Sequence, residues 1–211
     1  MAIDAEWLPI FSYRRQRISI IQIALRNMCF IIDLVNFDKK SEEFRRLWCE
    51  EFCMKYFSDP NYKKIGFGIT QDMEILGYST GQSMANLRLN GVCDLSRSAR
   101  SLVQFLSEQN DSKIMAQINR SKKVNNAINR GGLQGLSMLT YVIFGNALNK
   151  LERQSDWNRR PLRDAQLLYA ALDSYCLIDI YDKLGFIAQQ FQFEDVNEFL
   201  QHVKTVSNVE N

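Results

Sequence analysis

The feature that most constrains the fold is a pair of β-rich runs near the start of the chain, separated by a short turn. Residues Ile18–Leu25 and 29–34 are rich in Ile, Leu and Phe, with Arg26 and Asn27 between them. Two such runs joined in this way indicate a β-hairpin. Residues 1–8 have the pattern of the end of an earlier strand, so we expect the natural protein to continue upstream of Met1.

Helical patterns begin after the hairpin. We expect a helix to start at Ser41, because its hydroxyl can cap the first turn and Glu42 and Glu43 favour a helix N-terminus. The apolar stripe predicted for this helix consists of Phe44, Leu47, Trp48 and Phe52. Further helices are predicted at 70–76, 96–107, 133–144, 164–184 and 193–203, and short strands at 62–66 and 92–95.

This order of elements predicts an α/β fold in which a mixed β-sheet is flanked by α-helices. We expect residues 1–190 to form one domain and 191–211 to form a C-terminal helix and tail. The stretch 108–130 is rich in Asn, Ser and Lys and poor in large apolar residues. It is predicted to be a mobile basic insertion rather than a domain boundary.

Composition excludes several classes of protein. Hydrophobic residues make up 46% of the 211 residues, which is enough for a full core, and no run of about 18 apolar residues is present to span a membrane. The five cysteines are scattered, so we interpret them as reduced thiols of an intracellular protein. We expect this protein in the cytoplasm rather than in the nucleus. The single histidine, His202, leaves little room for a Ser-His-Asp triad or a His-rich zinc site.

The net charge is only +2, but the basic residues are unevenly distributed. They form three clusters, at 14–17, 113–130 and 159–163. Binding to a phosphate backbone requires such patches, although a run of charge is also compatible with a solvated surface.

Asp4 and Glu6 form the first candidate site, at the end of the first strand. Carboxylates at positions i and i+2 of a strand project from the same face, so both can ligate one hard cation. The same spacing recurs at Asp72 and Glu74, and a solvated strand end is the alternative interpretation.

Gly66 and Gly68 lie between a short strand and a helix. A dinucleotide-binding loop would place a third glycine where Gln71 stands, so that interpretation fails. We expect the two glycines to form a tight turn that places Asp72 on the first turn of the following helix, near the sheet.

Tyr169 and Asp173 lie four residues apart in the longest helical pattern and therefore share one helix face. Leu168, Leu172 and Tyr175 are predicted to form the adjacent core stripe. A pair on the helix surface is an equally compatible interpretation of Tyr169 and Asp173 taken alone.

Together, these motifs resemble those of the DEDD 3′-5′ exonuclease superfamily, tyrosine subclass. The sequence around each motif adds to the likeness: 20–24 reads Ile-Ile-Gln-Ile-Ala, 65–69 reads Ile-Gly-Phe-Gly-Ile, and 157–173 is a long block ending in Tyr-Ala-Ala-Leu-Asp. The resemblance covers about residues 3–184. It points to the branch that contains RNase D, the Werner-type exonucleases and Nibbler, and is strongest to the Nibbler exoribonucleases. The histidine subclass does not fit, because its histidine position is Leu168.

The resemblance implies an RNase H-like (DnaQ-like) fold and a metal-dependent, two-metal-ion mechanism. Asp4, Glu6, Asp72 and Asp173 would bind two divalent cations, Mg²⁺ or Mn²⁺, and Tyr169 would orient the attacking water. Oxygen ligands suit these cations rather than zinc.

The resemblance also suggests residues that contact the substrate strand. The candidates are Trp7, Leu8, Lys150 and Arg160, with Arg159 and Arg163 as further candidates for contacts with its phosphates. Trp7 is also compatible with a place in the core.

The expected activity is therefore 3′-5′ hydrolysis of single-stranded RNA, with small RNAs as the preferred substrate. A Werner-type DNA exonuclease is an alternative, because the cleaved bond is the same and only contacts with the 2′-hydroxyl distinguish the two. A catalytically inactive nucleic-acid-binding scaffold is the second alternative. We expect no membrane partner, and a small-RNA effector protein would bind through regions outside this chain.

Overall fold

The structure, a computed structural model, describes residues 1–8, 15–82, 89–108 and 135–209. Within these residues, five strands form one mixed sheet in the order β3-β2-β1-β4-β5. The strands are β1 (Ala2–Trp7), β2 (Ile18–Leu25), β3 (Met28–Asp33), β4 (Lys64–Gly66) and β5 (Val92–Asp94). Strands β1, β2 and β3 pair antiparallel, whereas β1, β4 and β5 pair parallel. The predicted hairpin and the predicted mixed sheet are both confirmed.

Helices flank this sheet, as predicted. They are α1 (Glu42–Arg46), a π-helix (Leu47–Phe57), α2 (Ile69–Thr80), α3 (Ala99–Glu108), α4 (Leu136–Phe144), α5 (Asp164–Gln190) and α6 (Val196–Val209), with 3₁₀ turns at Phe37–Lys39 and Leu95–Arg97. None of the helices in the described ranges has the combination of length and apolar character that a membrane span requires. The predicted insertion at 108–130 lies outside the described residues, apart from Glu108 at the end of α3.

The helix that begins after Ser41 differs from the prediction in its inner turns. Ser41 caps it as expected, and its hydroxyl oxygen accepts a hydrogen bond from the Phe44 N–H at 3.2 Å. Leu47, however, is 44% exposed, while Trp48, Cys53 and Phe57 are buried. The segment is a π-helix, whose wider turn brings residues four and five apart to the same face. Phe44, Trp48 and Phe52 of the predicted stripe therefore pack against the core, whereas Leu47 does not.

The two faces of the sheet are covered by different helices. One face, which we call the α2 face, carries Ile3, Ala5 and Ile21 and packs against α2 and the π-helix. The opposite face, which we call the α5 face, is covered by α5. It carries Ile20, which packs against Tyr169 and Ala170 of α5.

Helix α5 packs on the sheet with the face that carries Tyr169, so the predicted core stripe of this helix was largely wrong. Leu168 is 63% exposed and Leu172 is 47% exposed, whereas Tyr169 is only 9% exposed. Only Tyr175 of the predicted stripe packs against the core, where it is partly buried. Tyr169 and Asp173 therefore lie on the face of α5 that is turned toward the sheet, and not on a face beside it.

Helix α6 packs into the same core as α3 and α5, and its Phe199, Leu200 and Val203 are buried there. The division into 1–190 and 191–211 stays a prediction.

Candidate active site

Asp4 and Glu6 project from β1 onto the α5 face of the sheet. Their cross-strand neighbours are Gln22 and Ile20, respectively. Glu6 is only 8% exposed, and the pairing with β2 becomes irregular immediately after it. The shared orientation that the i, i+2 spacing predicts is therefore present.

Asp173 of α5 completes a group of three acids. Carboxylate oxygens of Asp4, Glu6 and Asp173 lie within 4.8 Å of one another. Side chains that are 169 positions apart in sequence thus converge above β1, as the resemblance implied.

Asp72 lies outside this group of three, but its charge raises the pKa of both Asp4 and Glu6. Gly68 adopts a φ of 85° immediately before α2, and a Cβ on Gly66 would lie 2.6 Å from the Cβ of Ile69. These two glycines therefore permit the tight turn that was predicted, which places Asp72 in the first turn of α2. Asp72 is 6% exposed, and its Oδ2 atom is buried without a hydrogen-bond partner in the described part of the chain.

Nearby cations compensate the charges of the four acids only in part. Burial, followed by the neighbouring carboxylates, raises the pKa of Glu6 to about 10 and holds the pKa of Asp4 well above its usual range. Burial and the charge of Asp94 raise the pKa of Asp72 to about 7. Burial also raises the pKa of Asp173 to about 6, although Tyr169 and nearby cations oppose the shift.

These properties fit a site for divalent cations. Four clustered carboxylates are stable in ionised form only when positive charge neutralises them. All the available donors are oxygens, which suits Mg²⁺ or Mn²⁺. The unpartnered Oδ2 atom of Asp72 points to the same conclusion, because a buried carboxylate oxygen requires a donor or a cation.

Tyr169 stands one helical turn before Asp173 and donates a hydrogen bond to its carboxylate. Its ring packs against the buried Trp157, with 5.9 Å between ring centroids. Burial and the charge of Asp173 raise the pKa of the Tyr169 phenol. The phenol is therefore protonated at neutral pH and acts as a hydrogen-bond donor rather than a base.

The segment before α5 brings two cations close to the acids. Arg153 lowers the pKa of both Glu6 and Asp173, and Lys150 lowers that of Asp173. The pKa of Lys150 itself is lowered by burial and then by Arg153. Lys150 was predicted as a substrate contact, whereas Arg153 was not; its position three residues after Lys150, on the same turn, is the signal that could have identified it.

Two contacts with the start of α5 fix this segment. Arg163 forms a bidentate ion pair with Glu152. The buried Gln166 donates from Nε2 to the Ser155 hydroxyl at 2.9 Å and to the Asp156 carbonyl at 3.1 Å. Arg163 is thus paired with a carboxylate, and its side chain is also 49% exposed to solvent.

Arg160 is held within the protein. All five of its N–H donors bind internal acceptors: the carboxylate of Asp33 and the carbonyls of Ser19, Trp157 and Arg159. The guanidinium therefore joins the segment before α5 to the sheet, and its contact with the substrate stays a prediction.

Trp7 lies on the face of the sheet opposite to the acids. Trp7 packs against the cluster on the α2 face, together with its cross-strand neighbour Ile18. This is the core interpretation that its sequence position left open, because strand alternation places Trp7 opposite to Glu6. Leu8 is partly buried, and its contact with substrate stays a prediction.

A family model described as a 3′-5′ exonuclease matches residues 1–189. The chain therefore belongs to this 3′-5′ exonuclease family, and the predicted membership is confirmed. Families of this type use divalent metal ions, in agreement with the acidic cluster.

Individual relatives agree with this assignment. The exonuclease mut-7 homolog of Homo sapiens is 29% identical over 191 residues, which cover 87% of this chain but only 20% of the human protein. Ribonuclease D of Xanthomonas oryzae pv. oryzae is 46% identical over 54 residues, or 26% of this chain and 15% of that protein. The Nibbler EXO domain of Aedes aegypti superposes with a TM-score of 0.65 at 24% identity, covering 96% of this chain and 84% of that domain. This last likeness confirms the RNase H-like fold.

Proposed function

We propose that the chain is the catalytic domain of a metal-dependent 3′-5′ exoribonuclease that shortens single-stranded RNA from its 3′ end. The convergence of Asp4, Glu6 and Asp173 carries the proposal, together with Asp72, whose charge acts on Asp4 and Glu6. Retention of all four carboxylates and of Tyr169 argues against an inactive scaffold.

The acids would hold two divalent cations, Mg²⁺ or Mn²⁺. Asp4, Glu6 and Asp173 supply the grouped oxygens, and Asp72 supplies the unpartnered Oδ2 atom at the flank. When bound, such cations promote phosphodiester hydrolysis by lowering the pKa of water and by neutralising the charge on the phosphate.

The side chains around the cluster have complementary tasks. The protonated Tyr169 phenol donates its one hydrogen bond to Asp173, and its oxygen would orient the attacking water by accepting a hydrogen bond from it. Lys150 and Arg153 provide positive charge next to the carboxylates, which favours approach of the scissile phosphate. Because Trp157 and Ile20 pack around Tyr169, the phenol has a fixed position.

RNA is the proposed substrate because one relative is a ribonuclease D and because the motifs resemble those of the Nibbler exoribonucleases. A DNA exonuclease is the second candidate. For the whole protein, we propose action on small RNAs in the cytoplasm, with an effector protein bound by regions beyond this chain. The free thiols of all five cysteines suit a reducing compartment.

The test is a cleavage assay with oligonucleotides that differ only in the sugar. Single-stranded RNA and DNA carrying a 5′ label are incubated with the chain and Mn²⁺, Mg²⁺ or EDTA, and an RNA with one 2′-deoxy residue at its 3′ end serves as the matched substrate. We expect a ladder of progressively shorter RNA products only with metal, and slower removal of the 2′-deoxy terminus.

Three results would contradict the proposal. Equal or faster cleavage of DNA would favour the second candidate. Binding without shortening would favour the scaffold, and cleavage that persists in the Asp4→Asn variant would indicate a contaminating nuclease.

A further inference from the structure

Gln22, in the middle of β2, carries a side-chain amide with no partner. The residue is fully buried, and neither its Oε1 nor its Nε2 atom has a hydrogen-bond partner in the described residues. Burying an amide in this state costs free energy, and a well-packed apolar residue would avoid that cost. Packing alone therefore does not account for a glutamine at this position.

The register of the sheet places Gln22 directly beside the acidic cluster. Its Cα partner on β1 is Asp4, and its Cα partner on β3 is Ile31. Directly opposed residues of antiparallel strands share a face, with Cβ atoms about 4.5–5.5 Å apart. The amide of Gln22, which extends beyond its Cβ atom, thus has the carboxylate of Asp4 within its reach on the α5 face.

One other polar group above this part of the sheet is already engaged. Ser174 of α5 is fully buried, and its hydroxyl lies within hydrogen-bond distance of the carbonyls of Ala170 and Ala171 and of the Cys29 thiol. The Asp4 carboxylate accepts a hydrogen bond from the backbone of Ala5, and a carboxylate has further acceptor capacity. Because Asp4 faces Gln22 across the strand pair, it is the acceptor that the register offers to the Gln22 amide.

We propose that Gln22 is a positioning residue for the metal site, and that its Nε2–H donates a hydrogen bond to the Asp4 carboxylate when the cations are bound. The inference rests on the proposed function. Carboxylates that ligate a metal are commonly oriented by a hydrogen bond to their other oxygen, and loss of such a partner typically lowers metal affinity about 10–100-fold. A neutral amide performs this task without altering the charge of the cluster.

The test compares Gln22→Met, which keeps the length of the side chain but removes the amide, with Ile31→Val as the control. Ile31 flanks Gln22 on the same face but on the side away from Asp4, so the control reports on packing alone. Mn²⁺ affinity is measured by calorimetry on the full chain, the melting temperature is measured in EDTA, and kcat and KM are measured with RNA.

For Gln22→Met, we expect about 10–100-fold weaker Mn²⁺ binding. The melting temperature in EDTA should be unchanged or higher, because the unpartnered amide is removed. We also expect a lower kcat with an unchanged KM for RNA, and partial recovery of kcat at high Mn²⁺ concentration. Ile31→Val should bind Mn²⁺ like the wild type.

Unchanged Mn²⁺ affinity of Gln22→Met, with the wild type binding Mn²⁺ and cleaving RNA, overturns this inference alone. Equal weakening in Ile31→Val also overturns it, since the effect would then come from packing. Failure of the wild type to bind Mn²⁺ overturns the inference and the proposed function together. Tight Mn²⁺ binding without cleavage overturns the proposed activity, while the affinity of Gln22→Met still decides the positioning role.

Discussion

The Oδ1 atom of Asp94 accepts a hydrogen bond of 2.9 Å from the backbone N–H of Gly68. The same oxygen also accepts from the backbone N–H and the hydroxyl of Ser96, at 3.0 Å and 2.7 Å. Asp94 thus ties the end of β5 to the turn that precedes α2. Because Asp72 lies four residues after Gly68, this contact determines where its carboxylate enters the site.

Asp94 is not one of the four clustered acids, but its replacement should still impair catalysis. Asp94→Ala removes the acceptor of three hydrogen bonds, so we expect the free energy of unfolding to fall by roughly 1–3 kcal/mol. We also expect kcat to fall at least about 10-fold as Asp72 loses its position. Asp94→Asn keeps the acceptor oxygen and serves as the control. Equal loss of activity in both variants, measured with saturating Mn²⁺, would show that the charge matters rather than the turn.

Tyr169→Phe tests the role of the phenol in orienting water. Removal of the hydroxyl should lower kcat by roughly 10²-fold, the lower end of typical contributions from a group at the reacting atoms. The KM for RNA should remain unchanged, because the ring still packs against Trp157. Steady-state kinetics at fixed Mn²⁺ separate the two parameters. A KM that rises while kcat stays constant would instead assign the hydroxyl to substrate binding.

Asp173→Asn should abolish activity while it stabilises the metal-free protein. The variant removes one charge from the cluster but retains an oxygen that can accept from Tyr169. Since burial raises the pKa of Asp173 to about 6, we expect the free energy of unfolding of the metal-free protein to increase by roughly 1–3 kcal/mol at pH 8. RNA cleavage should be abolished. Thermal denaturation in EDTA is the measurement, and a clear loss of stability would argue for a structural role.

The metal-free protein should lose stability as the pH rises from 5 to 8. The pKa values of Asp173, Asp72 and Glu6 are raised to about 6, 7 and 10, so the folded state retains protons that the unfolded state has released. The free energy of unfolding then decreases with increasing pH across this range. Melting curves in EDTA at several pH values measure the slope. Saturating Mn²⁺ should remove most of this dependence on pH. An unchanged slope in Mn²⁺ would show that the cations do not bind to these carboxylates.

Arg160→Lys tests the assignment of Arg160 to the fold. Lysine cannot reproduce five donors in a planar arrangement, so the carbonyls of Trp157 and Arg159 lose their partner. We expect the free energy of unfolding to decrease by roughly 1–3 kcal/mol, with the KM for RNA unchanged. Arg159→Lys, at the exposed neighbouring position, is the control for stability. A raised KM at unchanged stability would instead support the predicted contact of Arg160 with the substrate.

The parts of the site that follow from local geometry could be predicted from the sequence. Strand alternation is sufficient to place Asp4 and Glu6 on one face, and helical spacing is sufficient to pair Tyr169 with Asp173. The turn at Gly66 and Gly68 also follows from a local requirement, because the close approach of Ile69 excludes a side chain there.

The parts that depend on distant partners could not be predicted in this way. The binding of Arg160 to Asp33 joins residues 127 positions apart, and a cluster of positive charge in sequence does not reveal such a partner. Helix α5 carries apolar residues around much of its circumference, so its pattern did not distinguish the side of Leu168 and Leu172 from the side of Tyr169. The π-helical turn after Arg46 likewise has no recognised signal in the residues themselves.

The small size of β4 is a condition for catalysis in this architecture. Its three residues meet β1 only near Ala2, in register with Ile65, and the chain then leaves the sheet at Gly66. An insertion that lengthened β4 would extend its ladder along β1 toward Glu6 and push the start of α2 aside. The cluster would then lose Asp72 although every acidic residue was retained, so an intact set of carboxylates in a homologue with a longer β4 is not sufficient for activity.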